Sequence, residues 1–112
     1  MRTNEYGVPL DRNGYAPSIL QTGEGCFLCR CCGGFDPLDR HEVFGGANRA
    51  KSKRLGLWVN LCHHRCHIFG SEAVHRSADT ALGLKRAAQR AAMAHYGWTE
   101  DDFRLQFDKS YL

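Results

Sequence analysis

The spacing of apolar residues changes twice along the chain, and the changes mark off three stretches. In residues 1–25 the apolar side chains (Tyr6, Val8, Leu10, Tyr15, Ile19, Leu20) keep no sustained period of 2 or 3.6. Pro9, Gly14, Pro17, Gly23 and Gly25 punctuate them, so the expectation is an ordered but irregular arm wrapped on a core built by the rest of the chain. Residues 26–77 read as short strands and turns. Asp39 to Phe44 suits a strand because Val43 and Phe44 favour extended backbone, and Gly45-Gly46 breaks it. Asn48 to Leu55 fits a short helix, with Asn48 as its cap and Gly56 as its stop. Leu57 to Leu61 is a second strand, and Cys62 to His67 a turn leading into helix.

Residues 78–112 are predicted to be helical. Asp79 is placed as a cap, and Leu84, Ala88, Ala91 and His95 recur at helical spacing as an inner face. The many alanines favour helix, and Gly97 ends it. Thr99 and Asp102 form a capping-box pattern, with Asp in place of the usual Glu, that starts a second helix with Phe103 and Phe107 inward. No internal repeat or low-complexity tract interrupts this order. The chain therefore reads as one α+β domain of 112 residues.

A domain of that length buries only a modest core, and such chains often add a metal or disulfides. The apolar share of 43% argues against wholesale disorder, and no apolar run approaches a membrane span of roughly 18 residues. Met1 to Glu5 lacks the apolar stretch of a secretory signal, which makes the cytoplasm the expected compartment. Six cysteines fall in two tight groups: Cys26, Cys29, Cys31 and Cys32, then Cys62 and Cys66. Reduced cysteines grouped in this way serve metals more often than disulfides. Zinc prefers four N or S ligands in a tetrahedron, and a closed shell of four is structural. Cys26-x-x-Cys29 offers two thiolates from one turn and Cys62-x-x-x-Cys66 two more, with 32 residues between the pairs. The longer second gap leaves His63 as an alternative ligand, and Cys31 or Cys32 could compete with Cys29.

Charge and histidine add a second chemistry. The formal net charge is only +3, yet residues 40–90 hold ten Lys/Arg against three Asp/Glu, and both flanks are acidic. A basic middle suggests a polyanion partner. Of six histidines, four (His41, His63, His64, His67) flank or lie between the cysteine groups. An imidazole can abstract a proton from water near neutral pH, and a cation held beside it stabilises charge on a phosphate. The stretch 40–67 supplies His41 as a base, Glu42 and His67 as cation ligands, and Arg49, Lys51, Lys53 and Arg54 as phosphate contacts.

The run Cys26-x-x-Cys29, Asp39-Arg40-His41-Glu42-Val43-Phe44-Gly45-Gly46, then Leu57 to Cys62 and Cys66-His67, resembles the HNH (His-Me finger) endonucleases, particularly their small phage members. Leu10 to Ser18 and Asp108 to Leu112 also look like that subgroup, so the resemblance spans nearly the whole chain. It implies a small zinc-stapled, treble-clef-like ββα-metal finger. It also implies phosphodiester hydrolysis on DNA with a catalytic Mg²⁺ or Mn²⁺, weak sequence selectivity, and a host-cell cytoplasmic setting beside phage replication, recombination or packaging proteins. Carried over by position, His41 is the base and His67 the ligand of the catalytic metal, with Asp39 or Glu42 as accompanying carboxylate. Three departures keep alternatives open. Arg40 stands where the family has its metal-binding residue, so His41 could instead be the ligand and Glu42 the base. Asn60 lies too close to Cys62 to match the family's middle Asn, and His64 or His75 could replace His67 as metal ligand. A lone site would nick DNA, whereas a homodimer could cut both strands. The rival classes are a non-catalytic zinc module that binds DNA or protein, and a disulfide-rich extracellular protein.

Overall fold

A computed structural model describes residues 2–29 and 36–112. Cys31 and Cys32, the competing zinc ligands, lie outside the described residues, as do the two glycines after them. Two strands, β1 (Leu38–Glu42) and β2 (Trp58–Cys62), pair antiparallel, with Asp39 opposite Leu61 and His41 opposite Val59. Both strands start one residue away from the sequence expectation. Beyond the strand the Val43 N–H still donates to the Leu57 carbonyl at 3.0 Å, and Val43 and Phe44 are buried, with α1 (Arg49–Arg54) folding back beside them. The buried Ser52 of α1 fixes that return: its hydroxyl donates to the Phe44 carbonyl at 2.8 Å and accepts from the Phe44 N–H at 3.0 Å. Asn48 stands at the helix start as expected, but its side chain makes no capping bond, since a short 3-10 turn (Gly46–Asn48) precedes it.

Directly opposed residues share a face of the sheet. Val59 and Leu61 are fully buried, so Asp39 and His41 stand on the core-facing side of β1, while Arg40 and Glu42 stand on the other. Arg40 there pairs with Asp11 at 2.8 Å and lies over the Tyr15 and Trp58 rings. Beyond β2 the chain winds into a six-residue π-helical turn, His63–Ile68. The Asp36 carboxylate accepts from the His64 and Arg65 backbone N–H groups at its start, and these bonds, led by that from His64, hold the Asp36 carboxyl down to about 2.

Two helices complete the chain, α2 (Ala78–Tyr96) and α3 (Glu100–Phe107). Ser77, not Asp79, caps α2 by accepting from the Thr80 N–H; Asp79 sits in the first turn, where its charge complements the helix dipole. The buried face of α2 is Leu84, Ala88, Gln89 and Ala92. The expected face ran through Ala91 and His95, but His95 is exposed. The stripe turns toward Gln89 because the C-terminal tail packs there: Gln89 donates to Ser110 at 2.9 Å and accepts from the Tyr111 N–H at 2.7 Å. The Thr99/Asp102 capping box forms as expected, and Phe103 meets Phe44 edge-on and Phe107 at a tilt, with ring centres 5.5 and 4.7 Å away.

The arm of residues 2–25 has no regular element beyond a single bridge between Thr3 and Pro9, yet it is fastened along its length. Asn4 donates to the Arg54 carbonyl, Ser18 to that of Trp58, and the Trp58 indole to that of Ala16. The approach is closest at Gly56, where φ is +74° and a Cβ would meet the Pro17 carbonyl oxygen at 2.4 Å. Gly56→Ala combines positive φ with a backbone clash, so it is expected to lower unfolding free energy by about 2–4 kcal/mol in denaturant titration. A loss below about 0.5 kcal/mol would mean that the arm does not press on this turn. Among the described residues no helix is long and apolar enough to cross a membrane.

Candidate metal centres and cleft

Cys26 and Cys29 enter from the turn that ends the arm, Cys62 from the end of β2, and Cys66 from the π-helical turn. The Phe27 N–H donates to the Asn60 carbonyl at 2.8 Å, which ties the first pair to β2 beside the second. The four sulfurs lie within 4.8 Å of one another, with Cys29 and Cys62 4.0 Å apart. That separation is far too long for a disulfide, near 2.05 Å. It fits the edge of a tetrahedron around a zinc ion with about 2.3 Å bonds, an edge of roughly 3.8 Å. Four such thiols could hold a metal such as zinc. Burial and the adjoining sulfurs push the Cys66 thiol up, whereas for Cys26 the opposing effect of burial is outweighed by backbone N–H donors. His63 is not part of this group; its Nδ1 is engaged by Asp39 at 2.5 Å.

A second group faces a cleft of about 430 Å³. His41 reaches it from β1, His67 from the π-helical turn, and His75 from the loop before α2. That loop is tied to the turn through Val74 N–H to the Cys66 carbonyl at 2.8 Å and His75 N–H to the His67 carbonyl at 3.1 Å. The sulfur cluster and the imidazole group therefore share one backbone support. The donor nitrogens of the three imidazoles lie within 4.8 Å of one another, and the Nε2 atoms of His67 and His75 are 3.0 Å apart. Two nitrogens bound to one cation at about 2.1 Å, at right angles, stand roughly 3.0 Å apart. His41 is set back a little, with ring centres 5.2 and 5.5 Å from His67 and His75. Burial, reinforced by these two imidazoles, brings His41 down to about 4, and burial and His67 also lower His75. Both are held neutral, with a lone pair to offer, at physiological pH.

The other expected site residues divide. Glu42 borders the cleft, but its carboxylate is taken by Arg49 at 2.5 Å; burial opposes its charge and Arg49 outweighs burial. Arg49 lines the cleft as well, whereas Lys51, Lys53 and Arg54 do not. Lys51 donates to the Gln106 carbonyl, Lys53 sits over the Tyr15 ring, and Arg54 pairs with Glu5. His64 turns away from the imidazole group to Asp36 and stacks on Phe69. Sequence reasoning missed Lys85, which lines the cleft from α2 one turn after Ala81, its ammonium 5.4 Å from the centre of the Tyr111 ring. The only signal was that shared helical face, which charge counting does not register. No family model, curated protein or solved structure matches the chain.

Proposed function

We propose that the chain is a metal-dependent endonuclease of the HNH, ββα-metal type, stapled by zinc at Cys26, Cys29, Cys62 and Cys66, that hydrolyses DNA phosphodiester bonds in the His41 cleft. One observation carries the reading: three imidazoles from separate elements converge on a cleft that also holds Lys85 and Arg49. The donor set fits a divalent cation, since the 3.0 Å between His67 and His75 suits two ligands of one ion. An all-nitrogen set favours later transition ions such as Ni²⁺ or Zn²⁺ over Mg²⁺, which prefers oxygen. When bound, such an ion would neutralise charge on the phosphate and the leaving oxygen.

The chain's own groups would do the rest. His41, neutral and set back from the pair, is placed to take the proton of a water attacking phosphorus. Lys85 and Arg49, both lining the cleft, would hold phosphate oxygens without reading bases. Arg49 can do so while paired, because its side chain is exposed and one carboxylate does not occupy all five guanidinium donors. The assay is plasmid relaxation with Mn²⁺ and Mg²⁺. Wild type should nick, and His41→Ala, with unchanged zinc content, should not. A second reading, a zinc-held module that only binds, draws on the four-thiol group, which needs no hydrolytic site beside it. It requires the same plasmid to stay supercoiled with wild type under either cation.

A further inference from the structure

Asp39 sits two residues before His41 on the same face of β1. A single oxygen of its carboxylate, Oδ2, lies 2.5 Å from His63 Nδ1 and 2.8 Å from His67 Nδ1. Two arrangements could bring these three groups together: a cation shared among them, or a carboxylate accepting two N–H bonds. The distances separate the two. Ligand atoms about 2.1 Å from one cation and at right angles or wider stand roughly 3.0 Å apart or more. Both contacts are shorter than that; the one to His67 falls in the range of charge-assisted hydrogen bonds, and the one to His63 is shorter still.

We propose that Asp39 is a positioning residue: it takes the Nδ1 proton of both His63 and His67 in hydrogen bonds, and so fixes His67 in the tautomer whose Nε2 lone pair faces His75 across the cleft. The inference rests on the reading of His67 as a cation ligand under the proposed function. An ionised carboxylate only accepts. Each Nδ1 within hydrogen-bond reach of Oδ2 is therefore the donor. Its two imidazole partners are one helical turn apart on the π-helical segment, so the single carboxylate clasps that segment to β1 at two points. His63 thus acts as a buttress. By filling a second acceptor position of the same oxygen it keeps the carboxylate from swinging into the cleft as a ligand of its own. Such outer partners orient an imidazole ligand and raise its basicity, and removing one typically weakens metal binding about 10–100-fold.

The test uses the full chain, labelled with ¹⁵N histidine and carrying one equivalent of Zn²⁺ for the thiolates. Long-range ¹H–¹⁵N correlation near pH 7.5 should find His67 protonated on Nδ1, with Nε2 bare. In Asp39→Ala that preference should relax toward the Nε2–H tautomer. Mn²⁺ binding, read by the EPR signal of free Mn²⁺, should weaken about 10–100-fold. Asp39→Asn, which keeps one neutral acceptor, should fall between the two and provides the comparison if the alanine variant does not fold. His67 protonated on Nε2 in the wild type would overturn the proposal, as would an unchanged tautomer and Mn²⁺ affinity in both variants. Neither readout involves hydrolysis, so a protein that fails to cut DNA but shows the Nδ1–H tautomer would sink the nuclease reading and leave this one standing.

Discussion

Stripping the ion that we assign to Cys26, Cys29, Cys62 and Cys66 is expected to unfold the chain. The four sulfurs join the end of the arm, the end of β2 and the π-helical turn, three segments that otherwise meet through apolar packing and backbone bonds such as that from Phe27 to Asn60. Structural zinc supplies about 10–16 kcal/mol of apparent binding energy in finger peptides. A domain of this size has a net stability of about 5–15 kcal/mol, so the ion's contribution is as large as the whole. Without it, the buried thiols lose the partner that makes their burial favourable. Thermal unfolding followed by circular dichroism should lose its cooperative transition after a strong chelator removes one equivalent of zinc, and Cys62→Ser should behave alike. A transition at the original midpoint in metal-free protein would show that the core alone holds the fold.

His41→Ala is expected to reduce DNA nicking by about 10²–10⁴-fold, the usual range for removing a positioned acid–base group. Its effect on stability should be small by comparison. His41 is half-buried, and the residues opposite and beside it, Val59 and Val43, keep their own burial. The two effects separate in one preparation: plasmid relaxation falls, while zinc content and unfolding midpoint stay close to wild type. Loss of activity with a large drop in midpoint would instead make His41 a structural group. Retained activity would move the base to another residue.

Legibility in the sequence followed the range of the interaction. The cysteine pairs could be read because ligands that share a turn must be close in sequence. The Thr99 capping box could be read because cap and partner are three residues apart. The pairing of β1 with β2 came from short runs of strand-forming residues, with ends shifted by one or two residues. Alternation along β1, had it been applied there, separates Asp39 and His41 from Arg40 and Glu42. The order of residues along the strand placed Glu42 beside His41; the pleat turns it toward Arg49. The inner face of α2 was misjudged at Ala91 and His95 because the tail that captures Gln89 returns from 21 residues further on. Basic side chains were the least readable. A sequence displays charge but not its partner, and Lys51 and Arg54 find theirs 55 and 49 residues away. Lys85, beside Arg86 on α2, lines the cleft opposite residues of β1 that precede it by more than forty positions.

The central claim is that a divalent cation binds between His67 and His75 with His41 beside it. Anomalous scattering from a crystal grown with Mn²⁺, measured above and below the manganese edge, tests it directly. The expected result is a manganese peak bonded to both Nε2 atoms, distinct from a zinc peak among the four sulfurs, with Asp39 still hydrogen-bonded to His67. Density for zinc alone, with His67 and His75 bonded to each other at saturating Mn²⁺, would contradict it.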